Sequence, residues 1–401
     1  MILGVGVVAT TSLAGATSSK DQEATGHAVF VEIDQAANSV FSSTRGTDGT
    51  TSYVATYSTE GAGASAADAA ADPLASQGDP ALVDGGHELI ATNPGSNTVS
   101  LFRVRGPFLK LIQRVSSGGQ FPDSIGVQDN LIAVLNAGGA GSVSEFQLHH
   151  DHLVSLNSET RTLGLTNTNA LEFHHGAGQI SYSPNGKILV VTTKLSTNAY
   201  DVFTVGDDGT LSASPTVTGS TNALPFSFTF DANGNLVGAQ ASNSSVSTYS
   251  FNANGSLTPI GTLPDRQAAL RWVASAQGHF FGENSGSATV SSFGELASGA
   301  PTLLNATATA AHAGTIDAAA SPDGQFPYVE SGGAGALDAY AVSSTGVLKP
   351  IGTCSTSPSR TKALPSVRSL TTTTPRPTWP GRFCVRSSGC IERTSGGGSG
   401  I

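Results

Sequence analysis

Cysteine is missing from the first 353 of the 401 residues, and its three copies, Cys354, Cys384 and Cys390, all fall in the last 48. The main body therefore has neither a disulfide framework nor a thiolate zinc site. Cys384 and Cys390 can pair in an oxidising compartment, which leaves Cys354 odd; an unstructured tail with incidental cysteines is the simpler reading. Charge is also scarce. Only 12% of residues are Asp, Glu, Lys or Arg, too few for long salt-bridged helices, and the formal net charge of −10 argues against a nucleic-acid partner. No run of 18 apolar residues exists, so no membrane-spanning helix is expected. Gly-x-Ser-x-Gly, His-Glu-x-x-His, Walker-type and Gly-x-Gly-x-x-Gly motifs are all absent. Neither a cofactor nor a metal is expected.

Glycine is abundant instead, at 48 residues, with Ser, Thr and Ala throughout. Such a composition suits short strands joined by tight turns. The N-terminus, "MILGVGVVATTSLAGATSS", has an apolar core ending at Ala14-Gly15-Ala16, as in the cleavage region of a secretory signal, without the usual basic start. Residues 1–16 are read as a signal peptide, shortened at its start, and the protein as secreted, extracellular or attached to the cell wall. Asn243, Asn254 and Asn305 begin Asn-x-Ser/Thr sequons, which matter only in a eukaryotic secretory pathway.

The main signal is a repeat. "NTVSLFRV", "GSVSEFQL", "NAYDVFTV", "SSVSTYSF", "ATVSSFGE" and "GALDAYAV" align with an aromatic in one column: Phe102, Phe146, Phe203, Tyr249, Phe293 and Tyr340. Their spacings are 44, 57, 46, 44 and 47 residues, and "NSVFSST" from Asn38 is a weaker first copy. Each copy reads as four short strands: an apolar piece, a turn such as "SPNG" or "DANG", a run apolar on both sides, a glycine-rich turn, the alternating aromatic strand, and a last strand after another turn. Four strands per unit of about 45 residues is the signature of a propeller blade. A lone blade cannot bury both faces, so seven must close into a ring. The fold expected is all-β, a seven-bladed β-propeller over residues 27–372. Blade one lacks an innermost strand, and "ALPSVRSLT" (363–371) is expected to supply it. Residues 373–401 turn basic and Thr/Pro-rich and read as a disordered tail, or as the product of a reading-frame error.

"GGQFPDSIGV…NLIAVLNAGGAGSVSEFQL", "ISYSPNGKILVVTT…NAYDVFTV", "LPFSFTFDANGNLVGAQASNSSVSTYSF" and "IDAAASPDGQFPYVESGG" resemble the seven-bladed lactonase-type propellers over roughly residues 27–352. That family includes a bacterial 6-phosphogluconolactonase and fungal 3-carboxy-cis,cis-muconate lactonising enzymes. The resemblance implies the architecture and a cyclic-ester or sugar-acid ligand. Lactonase members commonly carry a His-Pro-His motif at the start of an innermost strand; here that place reads Phe121-Pro122-Asp123-Ser124, so no catalytic histidine is carried across.

If strands alternate in direction, second-to-third turns and fourth-to-first connections emerge on one face. The two largest insertions, 61–80 and 159–178, are such connections and are expected around the mouth of the central channel. The second holds Glu172, His174 and His175, with Asn167 and Asn169 nearby, and these are the candidate acid–base groups. Asp123, Lys194, Arg266, Arg271, Glu283, His312 and Glu330 are expected near the mouth, where Lys or Arg can hold a substrate carboxylate. "HHDH" at 149–152 falls on a third-to-fourth turn, on the opposite face, and reads as a hairpin tip and not a metal site. Two functions fit: a monomeric lactone hydrolase or lactonising enzyme with a small-molecule lactone ligand, or a non-catalytic extracellular propeller binding a glycan, peptide or surface partner.

Overall fold

The computed structural model describes residues 28–156, 160–167 and 171–356. Within them the chain forms seven antiparallel sheets in sequence order, as a propeller requires. Five are simple four-stranded meanders. Blade three has the same meander plus a fifth short strand, Arg161–Thr162, which pairs with its third strand. Blade one shows Ala28–Ile33, Ser39–Arg45 and Thr51–Ser58, which stand in the second, third and fourth positions. The expected closing segment 363–371, the leader 1–16 and the tail 373–401 lie outside the described residues.

The repeat dictates where the core sits. Second strands such as Glu88–Asn93, Leu131–Asn136 and Leu236–Gln240 are buried along almost their whole length, because a neighbouring blade covers each face. Outer strands such as Phe108–Ser116 and Leu257–Pro264 alternate instead. The aromatic column, from Phe102 to Tyr340, is buried in all six copies and packs blade against blade. The turns are local devices. In "GDDG", Asp208 Oδ1 accepts from the Thr210 backbone N–H at 3.1 Å, and Gly209 takes the positive φ of 83° that closes the loop. The "AGGAG" loop is likewise a hairpin turn, with Gly139 and Gly141 at positive φ.

One irregularity repeats with the blades. In blades three, five, six and seven the pairing of the innermost strand with the second strand slips by one residue near its start. The slips lie between Pro122 and Ser124, Pro225 and Phe228, Leu270 and Trp272, and Thr315 and Asp317. Such β-bulges free a side chain from the ladder and re-aim it. The residues freed include Asp123, Phe226, Arg271 and Ile316.

Candidate functional site

The two insertions meet. Ala67 and Glu172 form a parallel bridge, in which the Ala67 N–H donates to Leu171 O at 2.7 Å and the Phe173 N–H to Ala67 O at 3.2 Å. From there residues 72–77 are buried without interruption, and the segment ties inner strands from four blades. The Gln77 backbone N–H donates to Gly178 O ahead of blade four, and Ser124 Oγ of blade three donates to Gln77 O. Gln77 Nε2 donates to Val273 O of blade six at 3.3 Å and to Ala318 O of blade seven at 3.2 Å. The insertion is therefore a strap across the channel, not a loop beside it. Gly178, where the second insertion reaches its inner strand, needs to be glycine: a Cβ there would lie 2.4 Å from Phe226 O.

Lys194 begins the one-turn helix Lys194–Thr197 between the second and third strands of blade four. It is fully buried, and its Nζ donates to Ala75 O of the strap at 2.9 Å and to Phe173 O of the second insertion at 2.8 Å. Burial brings its pKa down to about 8, against the pull of the nearby Asp123 and Asp72 carboxylates.

Above this tie lies an aromatic and cationic cluster. The Phe173 and Phe226 rings are 5.8 Å apart. The Arg271 guanidinium sits over both, at 4.8 and 5.3 Å from their centroids, and Lys194 Nζ at 5.7 and 5.3 Å. Arg271 is partly exposed and, among the described residues, forms no salt bridge and has no hydrogen-bond partner for its Nε. The exposed His174 ring packs edge-on against Phe173 at 5.0 Å. Partial burial, then Arg271 and Lys194, lower its pKa and favour the neutral imidazole. His175 Nδ1 lies 2.7 Å from Glu172 Oε2. Among the candidates, His174, Lys194 and Arg271 thus come together around two rings, with the Glu172–His175 pair alongside.

The acidic candidates behave differently. Asp123, Glu283 and Glu330 are fully buried, and among the described residues both carboxylate oxygens of each lack a hydrogen-bond partner. Burial raises the pKa of all three well above the carboxylate range. His312 is exposed and paired with Asp338 at 2.7 Å; Asp338 also accepts from the His312 backbone N–H, Ser331 Oγ and Thr353 Oγ1. Corresponding third-strand positions hold Ser100 and Ser291, which donate to Thr59 O in a connecting segment and to Ala306 O in an outer strand, so this column ties neighbouring backbone in several blades. Arg266 is an exposed turn residue at positive φ. Asn167 Nδ2 donates to Ala137 O and Gly139 O and so covers the "AGGAG" turn; Asn169 is outside the described residues. Sequence reasoning did not single out Asp72, Phe173, Phe226 or Gln77. Phe226 stood in the innermost-strand pattern, whereas nothing in an alanine-rich insertion marked Asp72 or Gln77.

No match was found among curated proteins. Residues 140–271 match a family model described as lactonase, 7-bladed β-propeller. Among solved structures, the Pseudomonas aeruginosa periplasmic gluconolactonase is similar with a TM-score of 0.61 at 16% identity, covering 82% of this chain and 96% of that one. A candidate 6-phosphogluconolactonase from Bacteroides uniformis gives 0.62 at 18%, covering 78% and 90%. Another from Bacteroides fragilis gives 0.61 at 16%, covering 80% and 90%. The described residues thus form a seven-bladed β-propeller, and the stretch from blade three to the start of blade six matches the lactonase-type family of that fold.

Proposed function

We propose that the protein is a lactone-processing enzyme whose site is the cluster of Arg271, His174, Phe173 and Phe226 at the channel mouth. The observation that carries this is the partly exposed Arg271 guanidinium, without a salt bridge among the described residues and held on two aromatic rings beside a histidine biased towards its neutral form. An unpaired guanidinium binds a carboxylate or stabilises negative charge developing on a carbonyl oxygen. A neutral imidazole accepts a proton at ordinary pH.

In the hydrolytic direction His174 takes a proton from water as its oxygen bonds to the lactone carbonyl carbon. Arg271 stabilises the tetrahedral oxyanion. The acyl–oxygen bond of the ring then breaks, and the proton passes from His174 to the departing alkoxide, leaving a hydroxy acid. Ring closure of a hydroxy acid, with loss of water, is the same path reversed. The Glu172–His175 pair flanks this centre as a second proton-handling group, and Lys194 contributes positive potential while its donors hold the loops. The substrate class is a sugar-acid or carboxymuconate-type lactone, in keeping with the family, and the setting is extracellular or periplasmic, in keeping with the N-terminal sequence.

Hydrolysis of δ-gluconolactone and of a carboxylated muconolactone by wild type and by the His174→Ala/His175→Ala double variant tests the reading. A fall of about 100-fold or more is expected from loss of general-base catalysis. Equal rates would remove the role given to these histidines. Absence of turnover in wild type, combined with lactone binding lost in Arg271→Ala, would favour a non-catalytic binding propeller.

A further inference from the structure

Residues 103–110, "RVRGPFLK", hold three cations and no acid in a chain of net charge −10. They form the hairpin between the third strand, Thr98–Arg105, and the outer strand, Phe108–Ser116, of blade two. Arg103 stands opposite Lys110, and Arg105 opposite Phe108. Directly opposed residues share a face, so all four side chains project from the same side of the hairpin. The alternate residues Val104 and Leu109 are buried in the core on the other side.

Like charges directly opposite one another repel and need an external counter-charge. Arg103 has one, pairing with Asp151 at the "HHDH" tip of blade three, and the buried Glu88 faces it from the second strand. Arg105 and Lys110 form no salt bridge among the described residues. Between them Phe108 is 59% exposed, a large aromatic surface left in water. The side chains border a depression of about 210 Å³ lined by Arg103, Arg105, Phe108, Leu109 and Lys110. This turn is of the third-to-fourth kind, on the face opposite the strap, so an occupant would not compete for the channel mouth.

An aromatic ring beside two unneutralised cations matches the needs of an acidic sugar. The apolar C–H face of the sugar covers the ring, and the guanidinium and ammonium take the acid group. A simple anion would use the charges and leave Phe108 uncovered; a neutral sugar would leave the charges unanswered. We infer that the outer edge of blade two is a binding site for an anionic polysaccharide, through Phe108, Arg105 and Lys110.

Calorimetric titration at low salt with polygalacturonate, dextran sulfate and unmodified dextran tests this and distinguishes carboxylate from sulfate as the anion. Binding of at least one polyanion, with dextran inert, is expected. Arg105→Glu/Lys110→Glu should weaken it at least 20-fold and Phe108→Ala about 5-fold, with melting temperatures and lactone hydrolysis unchanged because these side chains sit at the surface, away from the mouth. Equal binding of dextran, or full affinity in Phe108→Ala, would overturn the proposal, the latter in favour of a diffuse charge effect. Self-association in sedimentation, abolished by the double substitution, would overturn it in favour of a second copy of the chain.

Discussion

The channel of this propeller has two unlike sectors. Around blades four to six, Phe173, Phe226, Arg271, Lys194 and His174 make a cationic and aromatic cluster, in which His174 and part of Arg271 reach solvent while the rest is buried. Around blades six, seven, one, two and three runs an arc of buried carboxyl groups: Glu283, Asp317, Glu330, Asp34, Glu32, Asp79 and Asp123, with Asp72 of the strap between the sectors. Their pKa values are all raised, first by burial; neighbouring carboxylates raise Glu32, Asp34, Asp123, Asp317 and Glu330 further. Asp72 reaches about 7 and Asp79 about 6. Among the described residues Asp123, Glu283 and Glu330 lack hydrogen-bond partners for either oxygen, which disfavours their charged forms. The same architectural positions thus carry reactive cations on one side and neutral acids on the other. Burial without a donor favours the neutral form of an acid, whereas Arg271 and His174 keep a path to solvent.

The largest expected effect comes from cutting the link between the sectors. Lys194→Met leaves Ala75 O and Phe173 O without a donor and removes the cation facing Asp72 and Asp123. Denaturant unfolding should show a loss of about 3–5 kcal/mol, as when one partner of a buried charge set is removed. Arg271→Ala tests the exposed side alone. Lactone kcat/KM should fall about 100- to 1000-fold, as for loss of an oxyanion-stabilising group, with little change in melting temperature. A stability loss as large as that of Lys194→Met would mean that Arg271 is structural and the contrast false.

The acid arc predicts a pH trend. Each raised carboxyl holds a proton in the folded state at pH values where the unfolded chain has released it, so the folded state binds more protons. The stabilisation is complete below about pH 4, near ordinary carboxyl values, and is lost as pH rises through 6 and 7. Thermal melts at pH 5 should therefore lie above those at pH 8; a flat or opposite profile would break the description of the arc. Glu283→Gln should reduce that slope and raise the melting temperature at pH 8 by a few degrees, an effect of about 1 kcal/mol. A change of similar size is expected of Gln77→Ala, a loss of about 1–2 kcal/mol in denaturant unfolding for two donors removed at a strap anchored elsewhere by backbone bonds.

The ring was legible because its causes are local and repeated. Strand alternation, glycine turns and the Phe102-to-Tyr340 column recur at a nearly constant spacing, and every blade reinforces the same reading. Both insertions were visible as departures from that spacing, and strand direction alone put them on one face. The site was only partly legible. His174, Lys194 and Arg271 stood out as ionisable residues in connecting segments or at strand starts. Their separation in sequence, with Arg271 nearly a hundred residues from His174, concealed that they share Phe173 and Phe226. Asp123, Glu283 and Glu330 had the right position along their strands but the opposite chemical fate, because alternation does not report whether an oxygen will find a donor.

By itself the sequence determined the class of fold, the number of blades, the turn chemistry and the face on which insertions emerge, since each follows from residues within one repeat. Only the tertiary structure decided that residues 72–77 cross the channel, that Lys194 spends its donors on two loops, and that Arg271 lies over the rings of Phe173 and Phe226. Those outcomes depend on which bulged residue of one blade meets which loop of another, and contacts over such separations leave no periodic trace in the chain.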